Sequence, residues 1–127
     1  NIPFVGQTTP AHWRDLTSKV ERALEIDGPA FINVLAPCPR GWRSKPNDTI
    51  KLARLAADTC YWPLFEIDHG EYKVNYKPRE KKPLREWLEL QGRFRHLFTE
   101  ENEHIIEDLQ ERVDTEWERL LSMEKSD

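Results

Sequence analysis

The spacing of apolar positions changes along this chain, and each change marks an element. Trp13, Leu16, Val20 and Leu24 recur three and four residues apart, which predicts a helix with one apolar stripe. Thr9-Pro10 predicts its start, a hydroxyl at the N-cap followed by proline where a missing N–H costs nothing. Asp27-Gly28 predicts its end, glycine supplying the left-handed position after the last turn. The pattern then becomes a continuous run, Ala-Phe-Ile-Asn-Val-Leu-Ala over residues 30–36, read as a buried strand that Pro37 halts. Helix, tight turn and buried strand make the second half of an αβ unit, so the parallel partner strand is expected upstream of Asn1.

Past this strand, Asn47 or Asp48 caps a helix reaching about Thr59. Lys51, Arg54 and Asp58 share one of its sides, and Ile50, Leu52, Ala53, Leu55, Ala56 and Ala57 cover the rest, the signature of a mostly buried helix. Residues 62–67 and 72–76 flank Asp68-His69-Gly70-Glu71, a hairpin signal, with Pro63 expected to confine the first strand to an edge. Composition shifts at Lys77: residues 77–82 are basic and contain Pro78, which reads as a linker leaving an α/β body. Pro83 opens a short helix with Leu84, Trp87 and Leu88 on one face. Thr99 caps a long last helix striped by Ile105, Ile106, Leu109, Val113, Trp117, Leu120 and Leu121. That helix either packs on its own chain or acts as an arm burying its stripe on a partner. The expected class is α/β, with an open-sheet domain over residues 1–76 and a charged helical extension over 77–127.

Composition narrows the function classes. A net charge of −4 argues against a general nucleic-acid binder. No apolar run approaches the roughly 20 residues of a membrane span, and two cysteines are too few for a disulfide framework, so a reducing cytoplasm is the expected compartment. The opening Asn-Ile-Pro-Phe, without an initiator methionine, reads either as a processed or disordered N-terminus or as the start of the C-terminal part of a longer polypeptide.

Cys38 is the first candidate for chemistry, a thiol between two prolines at the C-terminal end of a predicted strand, where open α/β sheets place their sites. From the residues alone it is either a structural or free thiol or one ligand of a metal centre whose other ligands lie elsewhere. Cys60 ends the buried helix without metal-ligand spacing to Cys38 and reads as structural. His12, His69, His96 and His104 sit on separate elements, with no i, i+4 pair. His12 alone could join a site wall, with residues 7–11. Lys77, Arg79, Lys81, Lys82 and Arg85 form a basic cluster that fits a solvated linker, or docking of an acidic partner or of the acidic last helix. There is no Gly-rich phosphate loop.

The stretch Gly-Pro-Ala-Phe-Ile-Asn-Val-Leu-Ala-Pro-Cys-Pro-Arg-Gly-Trp (residues 28–42) resembles the thiamine-pyrophosphate-binding beta subunit of pyruvate:ferredoxin and related 2-oxoacid:acceptor oxidoreductases. The likeness continues through residues 49–56, 62–66 (Trp-Pro-Leu-Phe-Glu) and 90–94 (Leu-Gln-Gly-Arg-Phe). It implies the C-terminal part of a thiamine-diphosphate-binding α/β domain, in an enzyme that oxidatively decarboxylates a 2-oxoacid, pyruvate above all, with coenzyme A as acceptor and electrons leaving through 4Fe-4S clusters to ferredoxin. It implies Cys38 as the distant fourth ligand of the proximal 4Fe-4S cluster, and glycine as the residue that relatives more often carry where Cys60 stands. The Gly-Asp-Gly segment for Mg2+ and thiamine diphosphate is missing, so this chain alone is not expected to be active. No catalytic or thiamine-binding residue is assigned to it. The implied partners are the rest of the beta subunit, the alpha-, gamma- and delta-type subunits, and ferredoxin. The competing reading is a non-catalytic α/β interaction module that docks a partner through its C-terminal amphipathic helices.

Overall fold

The computed structural model describes residues 1–124. Four strands, β1 (Phe4–Thr8), β2 (Ala30–Val34), β3 (Phe65–Asp68) and β4 (Glu71–Val74), form one open sheet in the order β2-β1-β3-β4. β1 and β2 are parallel, joined by α1 (Trp13–Glu25), and the β3–β4 hairpin adds antiparallel to β1. The short α2 (Pro39–Trp42) and the longer α3 (Thr49–Asp58) follow β2, and α4 (Leu84–Leu88) and α5 (Glu103–Met123) complete the chain. The α/β expectation holds: a mixed open sheet carries a helical C-terminal region.

Several details differ from the sequence reading. The parallel partner of β2 is β1, inside this chain rather than upstream of Asn1. Phe4, Gly6 and Thr8 make its buried face, and a glycine and a threonine in that row hide the apolar alternation that marks most strands. α1 starts at Trp13 rather than just after Thr9, because the Thr9 hydroxyl is engaged by His12 Nδ1 at 2.6 Å and the Thr9 carbonyl accepts the His12 N–H. Nor is the first hairpin strand an edge. β3 lies between β1 and β4, while Pro63 stands ahead of it and its carbonyl accepts from Gln7 Nε2.

The largest differences concern burial. β2, read as a buried strand, is an edge strand with Phe31 52% and Val34 40% exposed. α1 likewise turns its apolar stripe outward: Trp13 and Leu24 are 61% and 81% exposed, while Lys19 is wholly buried. Both are the sequence of an interior strand and a doubly covered helix, and among the described residues nothing covers them.

α1 lies on the sheet face that carries Phe4 and Gly6. Gly6 makes this possible, since a Cβ there would stand 3.1 Å from Cδ of Lys19. The Lys19 ammonium donates to Asp15 Oδ2 at 2.6 Å and to the Gln7 carbonyl at 3.0 Å. Burial pulls the Lys19 pKa down and the Asp15 carboxylate opposes that pull. Beside it the nearly buried Glu66 accepts from Arg22 and from Asn75 Nδ2. On the opposite face α5 packs Trp117 and Leu120 against Val74, Phe65 and Tyr72. A second core joins the helical half to α3: Leu52, Leu55 and Ala56 pack with Leu84, Trp87, Leu88, Leu97 and Ile106. The Trp87 indole donates to the Leu52 carbonyl at 3.1 Å.

Removing one partner of a buried charge pair leaves the other charge uncompensated. Asp15→Asn in the full-length protein is therefore expected to cost about 2–3 kcal/mol, below the fully buried range because Asp15 is partly wet. Lys19→Met, which keeps the stem and removes the charge, is expected to cost less than half of that. Urea unfolding midpoints of the two variants check the order, and an Asp15→Asn midpoint equal to wild type contradicts it.

Candidate functional site

The Cys38 turn is built from the C-terminal edge of the parallel strand pair. The Thr8 carbonyl, at the end of β1, accepts from Leu35 N–H at 3.1 Å and from the Trp62 indole at 2.9 Å. This fixes the chain as it leaves β2. Pro37 and Pro39 then restrict the backbone on both sides of Cys38. Cys38 is the N-cap of α2, with Pro39 in its first turn and Arg43 closing it in the left-handed region at φ +54°. The Cys38 carbonyl accepts from Trp42 N–H at 2.8 Å, and its sulfur accepts from Gly41 N–H at 3.3 Å. The thiol itself is exposed. An accessible sulfur on a stiff turn, with a backbone N–H aimed at it, is suited to ligate a soft metal centre, since hydrogen bonds to sulfur tune such centres.

The helical half grips this turn from behind. Gly92 N–H donates to the Arg43 carbonyl at 2.9 Å. A Cβ at position 92 would lie 2.8 Å from Arg43 Cβ and 3.0 Å from its carbonyl oxygen, so only glycine fits here unless the turn moves. The next residue, Arg93, places its guanidinium 4.3 Å from the centre of the Trp42 ring and 4.6 Å from that of Phe94. Trp42 in turn meets Trp87 edge-on at 5.6 Å. The segments 28–42, 49–56, 62–66 and 90–94, separate in sequence, thus meet around one turn. The grip itself, Gly92 on Arg43 and Arg93 on Trp42, escaped the sequence reading. Its only signal was an arginine beside a glycine and a phenylalanine in a region with no role assigned.

The remaining candidates do not gather at this turn. Cys60 is buried beside Val74, Trp117 and Leu120, and burial pushes its thiol up to about 11. Its backbone sits at φ +63°, the left-handed region that favours glycine. His12 stands beside Thr9, its ring 5.3 Å from that of Tyr76, on a cavity of about 350 Å³ shared with Leu64 and Asn75. Burial lowers the His12 pKa, with the Asp58 and Asp15 carboxylates opposing. Tyr76 donates to Asp58, and burial above all raises its phenol to about 12. His69 pairs with Asp68 on the hairpin, while His96 and His104 are exposed. Of the basic cluster, Lys77, Lys81 and Arg85 pair with Glu124, Asp114 and Glu103, so the acidic final helix and its C-terminal end take up these charges. The final helix packs on its own chain. Among the described residues, no group of three or more His, Cys, Asp and Glu side chains is placed to hold a metal ion, and no helix is long and apolar enough to cross a membrane.

No family model matches the chain. It is 47% identical over 112 residues to the pyruvate synthase subunit PorB of Thermotoga maritima, covering 87% of this chain and 35% of that protein. It is 46% identical over 124 residues to the ketoisovalerate oxidoreductase subunit VorB of Pyrococcus abyssi, 96% of this chain and 39% of the relative. It is 44% identical over 111 residues to PorB of Methanocaldococcus jannaschii, 87% and 37% respectively. The chain therefore spans less than two fifths of the length of these relatives.

The buried Cys60 thiol generates a pH prediction. Its folded pKa is raised from 9.0 to about 11, so above pH 9 the unfolded chain releases the proton first and stability falls until about pH 11. Cys60→Gly has no titrating thiol and accepts the positive φ, so its unfolding midpoint is expected to drop less between pH 8 and pH 10.5 than that of wild type. Parallel slopes for the two proteins contradict the assignment.

Proposed function

The chain belongs with the PorB and VorB subunits of 2-oxoacid oxidoreductases, and from that premise we propose that it is the C-terminal part of such a beta subunit and supplies Cys38 as one of four ligands to a 4Fe-4S cluster. Residues 1–76 are then the end of the thiamine-diphosphate-binding α/β domain, and residues 77–127 its helical extension, packed back on the domain through α3. The whole enzyme oxidatively decarboxylates a 2-oxoacid to an acyl-CoA and CO2 and passes electrons to ferredoxin. Pyruvate is the substrate proposed, because the Leu-Ala-Pro-Cys-Pro-Arg-Gly-Trp form (residues 35–42) resembles the pyruvate and branched-chain members. The compartment proposed is the cytoplasm. The observation that carries the cluster reading is an exposed sulfur on a doubly gripped turn, with the Gly41 N–H directed at it.

The donor set fits a shared centre. Cys38 is the one exposed cysteine, and Cys60 is turned into a core, so the other three thiolates come from outside this chain. Thiamine diphosphate and Mg2+ are held by the rest of the subunit. When bound, an iron–sulfur cluster supplies one-electron transfer. This chain's own part is mechanical and electrostatic. Pro37 and Pro39 limit how far the sulfur can swing, Gly41 N–H offsets negative charge on it, and Trp42 with Leu35 carries apolar surface up to the turn.

The outward apolar surface supports the partner assignment. Phe31 and Val34 on β2 with Trp13, Val20 and Leu24 on α1 are the surface that the rest of the beta subunit would cover, and the alpha-, gamma- and delta-type subunits complete the assembly. The interaction-module reading depends on free C-terminal helices, yet α5 is occupied by its own chain at Trp117 and Leu120.

The test is Cys38→Ser in the complete complex, purified without oxygen. Iron is expected to fall by about one cluster's worth, with one low-temperature EPR signal lost after reduction and the others retained. Unchanged iron and spectrum make Cys38 a structural thiol and remove the proposal.

A further inference from the structure

We infer that Arg93 is a positioning residue for the Cys38 turn, acting through its stack on Trp42 and not by touching reacting atoms. The consequence for the metal centre rests on the Cys38 reading above; the geometry does not. Among the described residues Arg93 takes part in no ion pair with a carboxylate. Instead its guanidinium lies 4.3 Å from the ring centre of Trp42, 4.6 Å from Phe94 and 5.9 Å from Trp87. Desolvation in this setting lowers its pKa, so the side chain sits where water would have served the charge better. The rings supply the compensation, tryptophan being the strongest partner for a cation.

The side chain is also aimed from behind. Arg93 Nε donates to Gln91 Oε1 at 2.8 Å, and the buried Gln91 is anchored by its own donation to the Trp87 carbonyl at 2.9 Å. Trp87 belongs to the core that joins α4 to α3. A continuous set of contacts therefore runs from that core through Gln91 and Arg93 to Trp42, whose N–H closes the turn onto the Cys38 carbonyl. Gly92 adds the second hold, at Arg43. Two successive residues grip the last two residues of a turn that runs from its N-cap Cys38 to its C-cap Arg43. With that end held by the helical half, and the entry fixed by Leu35 N–H on the Thr8 carbonyl, the direction of the sulfur is set from both sides. Lysine cannot reproduce this, because its ammonium is a compact charge without a plane to stack.

The test uses Arg93→Lys and Arg93→Met in the full-length beta subunit and in the assembled complex. Hydrogen exchange at the Trp42 amide is expected to speed up at least tenfold in both variants, with the Leu55 and Ala56 amides of α3 unchanged. In the complex, the EPR signal that depends on Cys38 is expected to change line shape at unchanged iron content, in Arg93→Lys as much as in Arg93→Met. Unchanged exchange at Trp42 overturns the inference, as does a wild-type spectrum in the lysine variant. Should Cys38→Ser leave iron untouched, the cluster reading falls while exchange at Trp42 still decides whether Arg93 holds the turn.

Discussion

Gly92 has no side chain because Arg43 stands where one would be. That close approach, sealed by the Gly92 N–H on the Arg43 carbonyl, joins the helical half of the chain to the turn that follows β2. The contacts of Trp42 lie beside it. With the turn pinned, Trp42 lies against both Trp87 and Arg93. A loop leaving an edge strand ordinarily owes its shape to its own few hydrogen bonds. Here its shape is also held by residues fifty positions downstream, which is how a small turn can present one sulfur in a fixed direction.

A second constraint works under the sheet. Lys19 is buried because Gly6 leaves it room and because Asp15 and the Gln7 carbonyl receive its protons. The same helix carries Trp13, Val20 and Leu24 outward, the reverse of a helix on the surface of a finished domain. The ion pairs beneath α1 and the apolar stripe above it are consistent with a helix that is interior on both sides. β2 repeats the pattern, paired on one edge only while its composition is that of a central strand. Both observations fit a chain that spans less than two fifths of its relatives.

How much of this was legible depended on how local the signal was. α3, the hairpin, α4 and α5 follow from period and turn chemistry within a few residues of one another, and the structure places them where the pattern did, to within a turn. β1 was not legible, because Gly6 and Thr8 occupy the row that usually announces a strand. The exposure of β2 could not be read either, since its apolar, β-branched composition is that of a central strand while it lies at the sheet edge. Cys38 was legible as a candidate from its two prolines and from family resemblance. The grip of Gly92 and Arg93 was not, because a close backbone approach and a stacked cation arise only once residues 43 and 92 meet. Cys60 lay between these cases: its burial matches the structural thiol expected, while its positive φ has no signal in the sequence.

The most direct test of the account is an iron-edge anomalous scattering map from crystals of the complete, anaerobically purified complex. An iron peak is expected at bonding distance from the Cys38 sulfur, at the start of a turn whose Trp42 still lies against Arg93. A map whose iron peaks all lie away from Cys38, with its thiol facing solvent, contradicts it.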